Sequence, residues 1–248
     1  MKHVSGGVIT DRQLLTFEGD AIPVFCARPL RDPPLTVMVF SAIWSVTPHI
    51  EDLCQRLAEE GYGALAPCMF RQRGIPSRAA SAEALAQTFL GFDDRRCVRD
   101  LRRISHGALQ GEFGFYPGPL VAMGFCLGGR FAHYLGALDK DVTAVINFYG
   151  RLRFERQVIK PFLPAEVTGL IEVPYLGHFA ESDAMIPLSD VLELQTDLRA
   201  RHVRHDIHIY KGARHGFVDP ERPTEHNPQA AALAWQRTMN FIQGLLLQ

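Results

Sequence analysis

The stretch Val121–Tyr134, VAMGFCLGGRFAHY, places a cysteine where a short, fully apolar strand gives way to an apolar helix. Its centre, Gly124–Gly128, has the form G-x-nucleophile-x-G, with Cys126 where a serine more often stands. A nucleophile on such a sharp turn takes strained backbone angles, and side chains two residues to either side would collide, so glycine fills both places. The following helix aims its N-terminal amides at the sulfur, which favours the thiolate. The alternative is an ordinary buried cysteine whose glycines only permit tight packing of helix on strand.

Outward from this turn, strands and helices alternate. LTVMVFSAI is a short β-branched strand, followed by a helix that Pro48 opens and Gly61 stops. A polar stretch at 71–80 leads into a long amphipathic segment at about 81–110 and then the strand PLVAMGF. Beyond the helix from Leu127 come the strands VTAVINFYG, VPYLGHFA and DIHIY, the helix PLSDVLELQTDLRARH and a closing helix in PQAAALAWQRTMNFIQGLLL. Ahead of all these, only an extended opening around IPVFCARP is legible. The pattern predicts one α/β domain over residues 1–248, its mostly parallel sheet covered by helices on both faces. Chemistry in such folds gathers at the C-terminal ends of the strands.

Charge and composition narrow the function. Lys and Arg number 26 against 27 Asp and Glu, and 47% of residues are hydrophobic, so no basic field draws in nucleic acid or an anionic membrane. No apolar run reaches membrane-spanning length and MKHVSGGVIT lacks a signal-like core, which points to a cytoplasmic protein with a small-molecule partner. The cysteines, Cys26, Cys54, Cys68, Cys97 and Cys126, are odd in number and scattered, unlike a disulfide framework or a zinc site. In HDIH, strand alternation puts His205 and His208 on opposite faces, so metal chemistry has little support. The glycines lack the full dinucleotide pattern and the P-loop lysine, and no cofactor is expected. Oligomeric state is not legible.

A nucleophile needs a base and a carboxylate, in that fold order nucleophile, acid, histidine. His215, in the loop GARHGF after DIHIY, fits the base; nine other histidines lie in elements or lack a matching loop. HFAESDAMIP supplies the acid: Asp183 is favoured over Glu181, since it lies farther along the loop before an apolar run. Either carboxylate could instead cap the next helix.

Taken together, GFCLGGR, HFAESDAMIP, YKGARHGF and the weaker APCMFRQRG resemble the dienelactone hydrolase family, a cysteine-using branch of the α/β-hydrolase fold, from about Leu35 onward. The resemblance implies a Cys126, His215, Asp183 triad that cleaves esters or enol-lactones through a thioester. It also implies an oxyanion hole made by the backbone N–H groups of Ile43 and Leu127.

Three family positions differ. Ala42 replaces a glutamate that helps control the thiol, so the cysteine–histidine pair is expected to rest as thiolate and imidazolium. Gln72 stands where the family has a substrate-binding arginine, which leaves Arg71 and Arg73 beside it as candidate substrate contacts. Asp219 stands where the second arginine should be and is expected to repel an anion, unless Arg222 substitutes. Trp44, just past the oxyanion hole, could wall a pocket for a neutral ester or lactone, or serve only as a core aromatic. Two other readings remain: the same scaffold acting on thioesters or activated phosphoesters, and a non-catalytic binding protein that has kept the fold.

Overall fold

A computed structural model describes residues 3–114 and 118–247. Among the described residues nine strands form one sheet in the order β1-β2-β3-β5-β4-β6-β7-β8-β9: β1 (His3–Ser5), β2 (Val8–Phe17), β3 (Asp20–Pro29), β4 (Thr36–Phe40), β5 (Gly63–Pro67), β6 (Leu120–Phe125), β7 (Val142–Phe148), β8 (Tyr175–Ala180) and β9 (His205–Tyr210). From β5 across to β9 all pairings are parallel, while β1, β2 and β3 run antiparallel. The central strands β4, β5 and β6 are buried at every residue, as a sheet covered on both faces requires.

The opening hairpin exceeds the sequence expectation, which recognised only the β3 segment. Glu18 and Gly19 both hold positive φ (51° and 78°), and Phe17 pairs with Asp20: a two-residue turn whose twist suits paired strands. β2 escapes the reading because its residues are mostly half exposed and carry Asp11, Arg12 and Gln13 among the apolar positions.

The helices are α1 (Pro48–Glu59), α2 (Ala82–Gly91), α3 (Asp94–Leu109), α4 (Leu127–Leu138), the single turn α5 (Pro164–Val167), α6 (Leu188–Ala200) and α7 (Pro228–Leu245). The amphipathic segment at 81–110 is thus two helices. Phe92 is extended, and the Asp93 carboxylate accepts the Arg96 N–H (3.0 Å), so a fresh N-cap restarts the chain as α3. α4 packs against β4, β6 and β7 and is buried over Leu127–Gly136, which fixes the orientation of the turn that precedes it. Among the described residues no helix is long and apolar enough to cross a membrane.

Candidate active site

The segments after β4, β6, β7, β8 and β9 converge at one edge of the sheet. Cys126 follows β6 at φ 54°, ψ −112°, angles an L-residue adopts only when its surroundings impose them. Those surroundings are close-packed. A Cβ on Gly124 would lie 2.0 Å from the Gly128 carbonyl oxygen, and one on Gly128 would lie 2.1 Å from that of Phe40. The Cys126 N–H is tied to the Phe148 carbonyl of β7 (3.0 Å). Four of the five free thiols are buried outright, and this one keeps partial solvent exposure.

His215 and Asp183 meet it from the β9 and β8 loops. His215 Nδ1 lies 2.7 Å from Asp183 Oδ2, and the other carboxylate oxygen accepts the N–H groups of Met185 (2.8 Å) and Ile186 (3.1 Å). The carboxylate is therefore both buried and oriented. Glu181, the competing acid, is exposed, and its Oε2 accepts the Gly212 N–H (2.9 Å) in the neighbouring loop. Tyr149, left-handed at φ 41°, stands edge-on to His215 with ring centres 5.0 Å apart. It is a site neighbour that sequence reasoning missed, since only the fold brings the end of β7 against the β9 loop.

The electrostatics follow from this packing. Burial alone would push the Cys126 thiol up, but the adjacent His215 imidazole and the Leu127 N–H overcome it and the thiol lies below its ordinary value. Burial alone would push His215 down, yet Cys126 and Asp183 together raise it to about 9. His215 Nε2 is buried and makes no aligned hydrogen bond among the described residues. Leu127 opens α4 directly after Cys126 and Ile43 lies in the segment after β4; neither N–H has a backbone acceptor among the described residues.

The sequence profile of the dienelactone hydrolase family matches residues 22–246. The chain belongs to the dienelactone hydrolase family. With that family it belongs to the hydrolases of carboxylic ester and lactone bonds. An Escherichia coli K12 protein named "Putative carboxymethylenebutenolidase" is 31% identical over 229 residues, covering 91% of this chain and 83% of its own length. A Yersinia pestis protein of the same name is 29% identical over 239 residues, covering 95% and 88%. The crystal structure of a "Putative Dienelactone Hydrolase" from Klebsiella pneumoniae superposes with a TM-score of 0.85 at 29% identity, covering 94% of this chain and 97% of that one. A dienelactone hydrolase-like promiscuous phosphotriesterase from metagenomic libraries, 22% identical, shares the fold with a TM-score of 0.77 over 97% of this chain and 99% of its own.

In this dienelactone hydrolase family member the arginines expected at the substrate are engaged elsewhere, which corrects the sequence expectation. Arg71 is buried and grips Asp100 of α3 through Nε (2.8 Å) and Nη2 (2.5 Å), while Nη1 binds Asp20 of β3 (2.6 Å). Arg73 is exposed and pairs with the other oxygen of Asp20 (2.6 Å). Both guanidiniums thus join the edge hairpin to the loop after β5.

Two cations, Arg78 and Arg222, stand against the Trp44 ring. Their guanidinium carbons sit 4.7 and 5.2 Å from the centre of the Trp44 ring. Arg78 bonds Asp219 (2.9 Å) and Glu221, so Asp219 is not the bare repelling charge expected from its position. Arg222 pairs with Glu225 (3.4 Å) and donates to the His215 carbonyl (3.3 Å). Arg78 lies in the polar stretch 71–80, where no periodicity marked it. Ala42, Trp44, Tyr149, Arg78 and Asp219 border a hollow of only about 20 Å³. Cys68 is buried, with the Ser45 hydroxyl (3.2 Å) and the Gln72 N–H (3.3 Å) both directed at its sulfur.

Proposed function

We propose that this hydrolase cleaves small, neutral carboxylic esters or lactones by forming a thioester on Cys126. The observation that carries the reading is the strained, partly exposed Cys126 beside a His215 whose Nδ1 is anchored by the buried Asp183 carboxylate. In the resting pair the sulfur is a thiolate and the imidazole is protonated, the directions in which each group is perturbed.

The thiolate attacks the acyl carbon, and the carbonyl π electrons move onto oxygen. In this reading the backbone N–H groups of Ile43 and Leu127 receive that oxyanion. As the intermediate collapses, the C–O bond breaks and the departing alkoxide takes the proton from His215 Nε2. In a lactone the released hydroxyl stays tethered to the acyl group. Neutral His215 then removes a proton from water, hydroxide adds to the thioester, and expulsion of the thiolate releases the acid. Asp183 holds the ring so that Nε2 faces the reaction and favours the imidazolium.

Neutral substrates are favoured because each cation at the mouth already has a carboxylate: Arg78 has Asp219 and Glu221, and Arg222 has Glu225. An anionic substrate would have to displace one of them. Five free thiols suit a cytoplasmic setting.

The test is acid-quenched intact mass of the enzyme during turnover of a short aryl ester, together with kcat/KM for that ester and for a dienelactone. The expected result is one acyl adduct that maps to Cys126, no adduct or turnover in Cys126→Ala, and the higher kcat/KM with the neutral ester. Turnover that survives Cys126→Ala would overturn the nucleophile, and a preference for the dienelactone would overturn the substrate class.

A further inference from the structure

Far from the nucleophile, a groove of about 740 Å³ opens between α3, α4 and Pro161–Phe162. Its α4 wall is formed by Tyr134 and Leu138, eight and twelve residues beyond Cys126, or roughly 12–18 Å along the helix. The groove is therefore separate from the site described above.

Its floor is apolar, contributed by Val98, Tyr134, Leu138, Pro161 and Phe162, and Phe162 as a residue remains 54% exposed. Its rim is cationic. Arg95, Arg99, Arg102 and His106 recur at i, i+4, i+7 and i+11, so α3 presents them as one stripe, while Cys97, Leu101, Ile104 and Ala108 face the core.

The charges at the groove are unequally matched. Asp94 is buried against Arg130 (2.9 Å) and Lys160 (3.6 Å), Asp139 accepts from Ser105 (2.5 Å), and Asp141 faces His106 (3.6 Å). Arg99 pairs with Glu18 (2.7 Å) and Arg103 with Glu112 (2.9 Å). Arg95 and Arg102 have no carboxylate partner among the described residues. They stand seven residues apart, about 10 Å along α3, beside an apolar trough whose size lies within the range of small-molecule sites.

We infer that this groove binds an amphipathic monocarboxylate, its alkyl or aryl body on the Tyr134, Leu138 and Phe162 floor and its carboxylate on Arg95 or Arg102. Apolar floor and exposed cations without carboxylate partners together select this class: an uncharged hydrophobe would gain nothing from the arginines, and a hydrophilic dianion would leave the floor wet. The inference stands independently of thioester chemistry.

Octanoate is the probe, titrated calorimetrically into the Cys126→Ala protein so that no turnover contributes heat. Saturable binding is expected that weakens with added salt, falls at least tenfold when Arg95→Glu and Arg102→Glu are added, and is unchanged when Trp44→Ala is added instead. In the parent enzyme the two arginine substitutions should leave kcat/KM for a neutral aryl ester unchanged, which shows that the fold is kept; if the double glutamate variant loses that activity, Arg95→Gln with Arg102→Gln takes its place. No saturable heat, equal binding of octan-1-ol, or loss of binding through Trp44→Ala rather than the arginine pair would overturn the inference. Sedimentation that shows a dimer broken by the same two substitutions would also overturn it, in favour of a contact between copies of this chain.

Discussion

At the scale of single residues, the proposed mechanism makes the Cys126–His215 pair set the pH range of activity. The thiol is held below its ordinary value, so the acid limb of kcat/KM should lie below that of a free thiol, as the nucleophile ionises. The imidazolium that must deliver a proton to the leaving group persists to about 9, so activity should fall above that pH. A bell-shaped profile with its alkaline limb near 9 is expected for a neutral ester; a rate that keeps climbing well beyond 9 would contradict the resting ion pair. Asp183→Asn removes the charge that helps raise His215 and upsets its tautomer. It should lower kcat roughly 10²–10⁴-fold and move the alkaline limb down, while the fold stays intact.

At the scale of elements, the decisive unit is the β6 turn into α4, and its glycines act through space rather than flexibility. An added methyl on Gly128 would lie 2.1 Å from a backbone oxygen of β4, so α4 would have to lift off the sheet. Gly128→Ala is expected to cost at least about 1–3 kcal/mol in urea unfolding and to reduce activity. Gly91, the last residue of α2, has open space around its Cβ position, and Gly91→Ala should be neutral or slightly stabilising. The glycine-flanked cysteine was legible in sequence because a steric requirement leaves a local pattern. The division of 81–110 was less legible: apolar periodicity runs across Phe92–Asp93, and only the Asp93 side chain closing on Arg96 separates α2 from α3.

At the scale of the whole molecule, the alternation of strands and helices conveyed the architecture, and the order Cys126, Asp183, His215 conveyed which loops meet. The fate of Arg71 could not be read in the same way, because its partners Asp100 and Asp20 lie 29 and 51 residues away in sequence. What resembled a substrate contact is a buried tie between the edge hairpin, the loop after β5 and α3. Asp100→Ala should destabilise the protein by about 3 kcal/mol, the low end of what breaking a buried pair costs, because Asp20 still holds the guanidinium. Urea denaturation would measure this, and an unchanged midpoint would show that the tie contributes nothing.

The setting of Trp44 also gives the enzyme a built-in optical reporter. The chain has two tryptophans, Trp44 and Trp235, and the latter stacks under Arg56 at 4.1 Å on α1. With Trp235→Phe the remaining indole emission comes from Trp44 alone, between two guanidiniums at the mouth of the site. Emission from that ring responds to the charges and solvent against its faces, so a substrate that shifts Arg78 or Arg222 would announce its arrival as a change in intensity or colour. Formation and release of the proposed acyl-enzyme could then be followed in stopped flow with substrates that carry no chromophore.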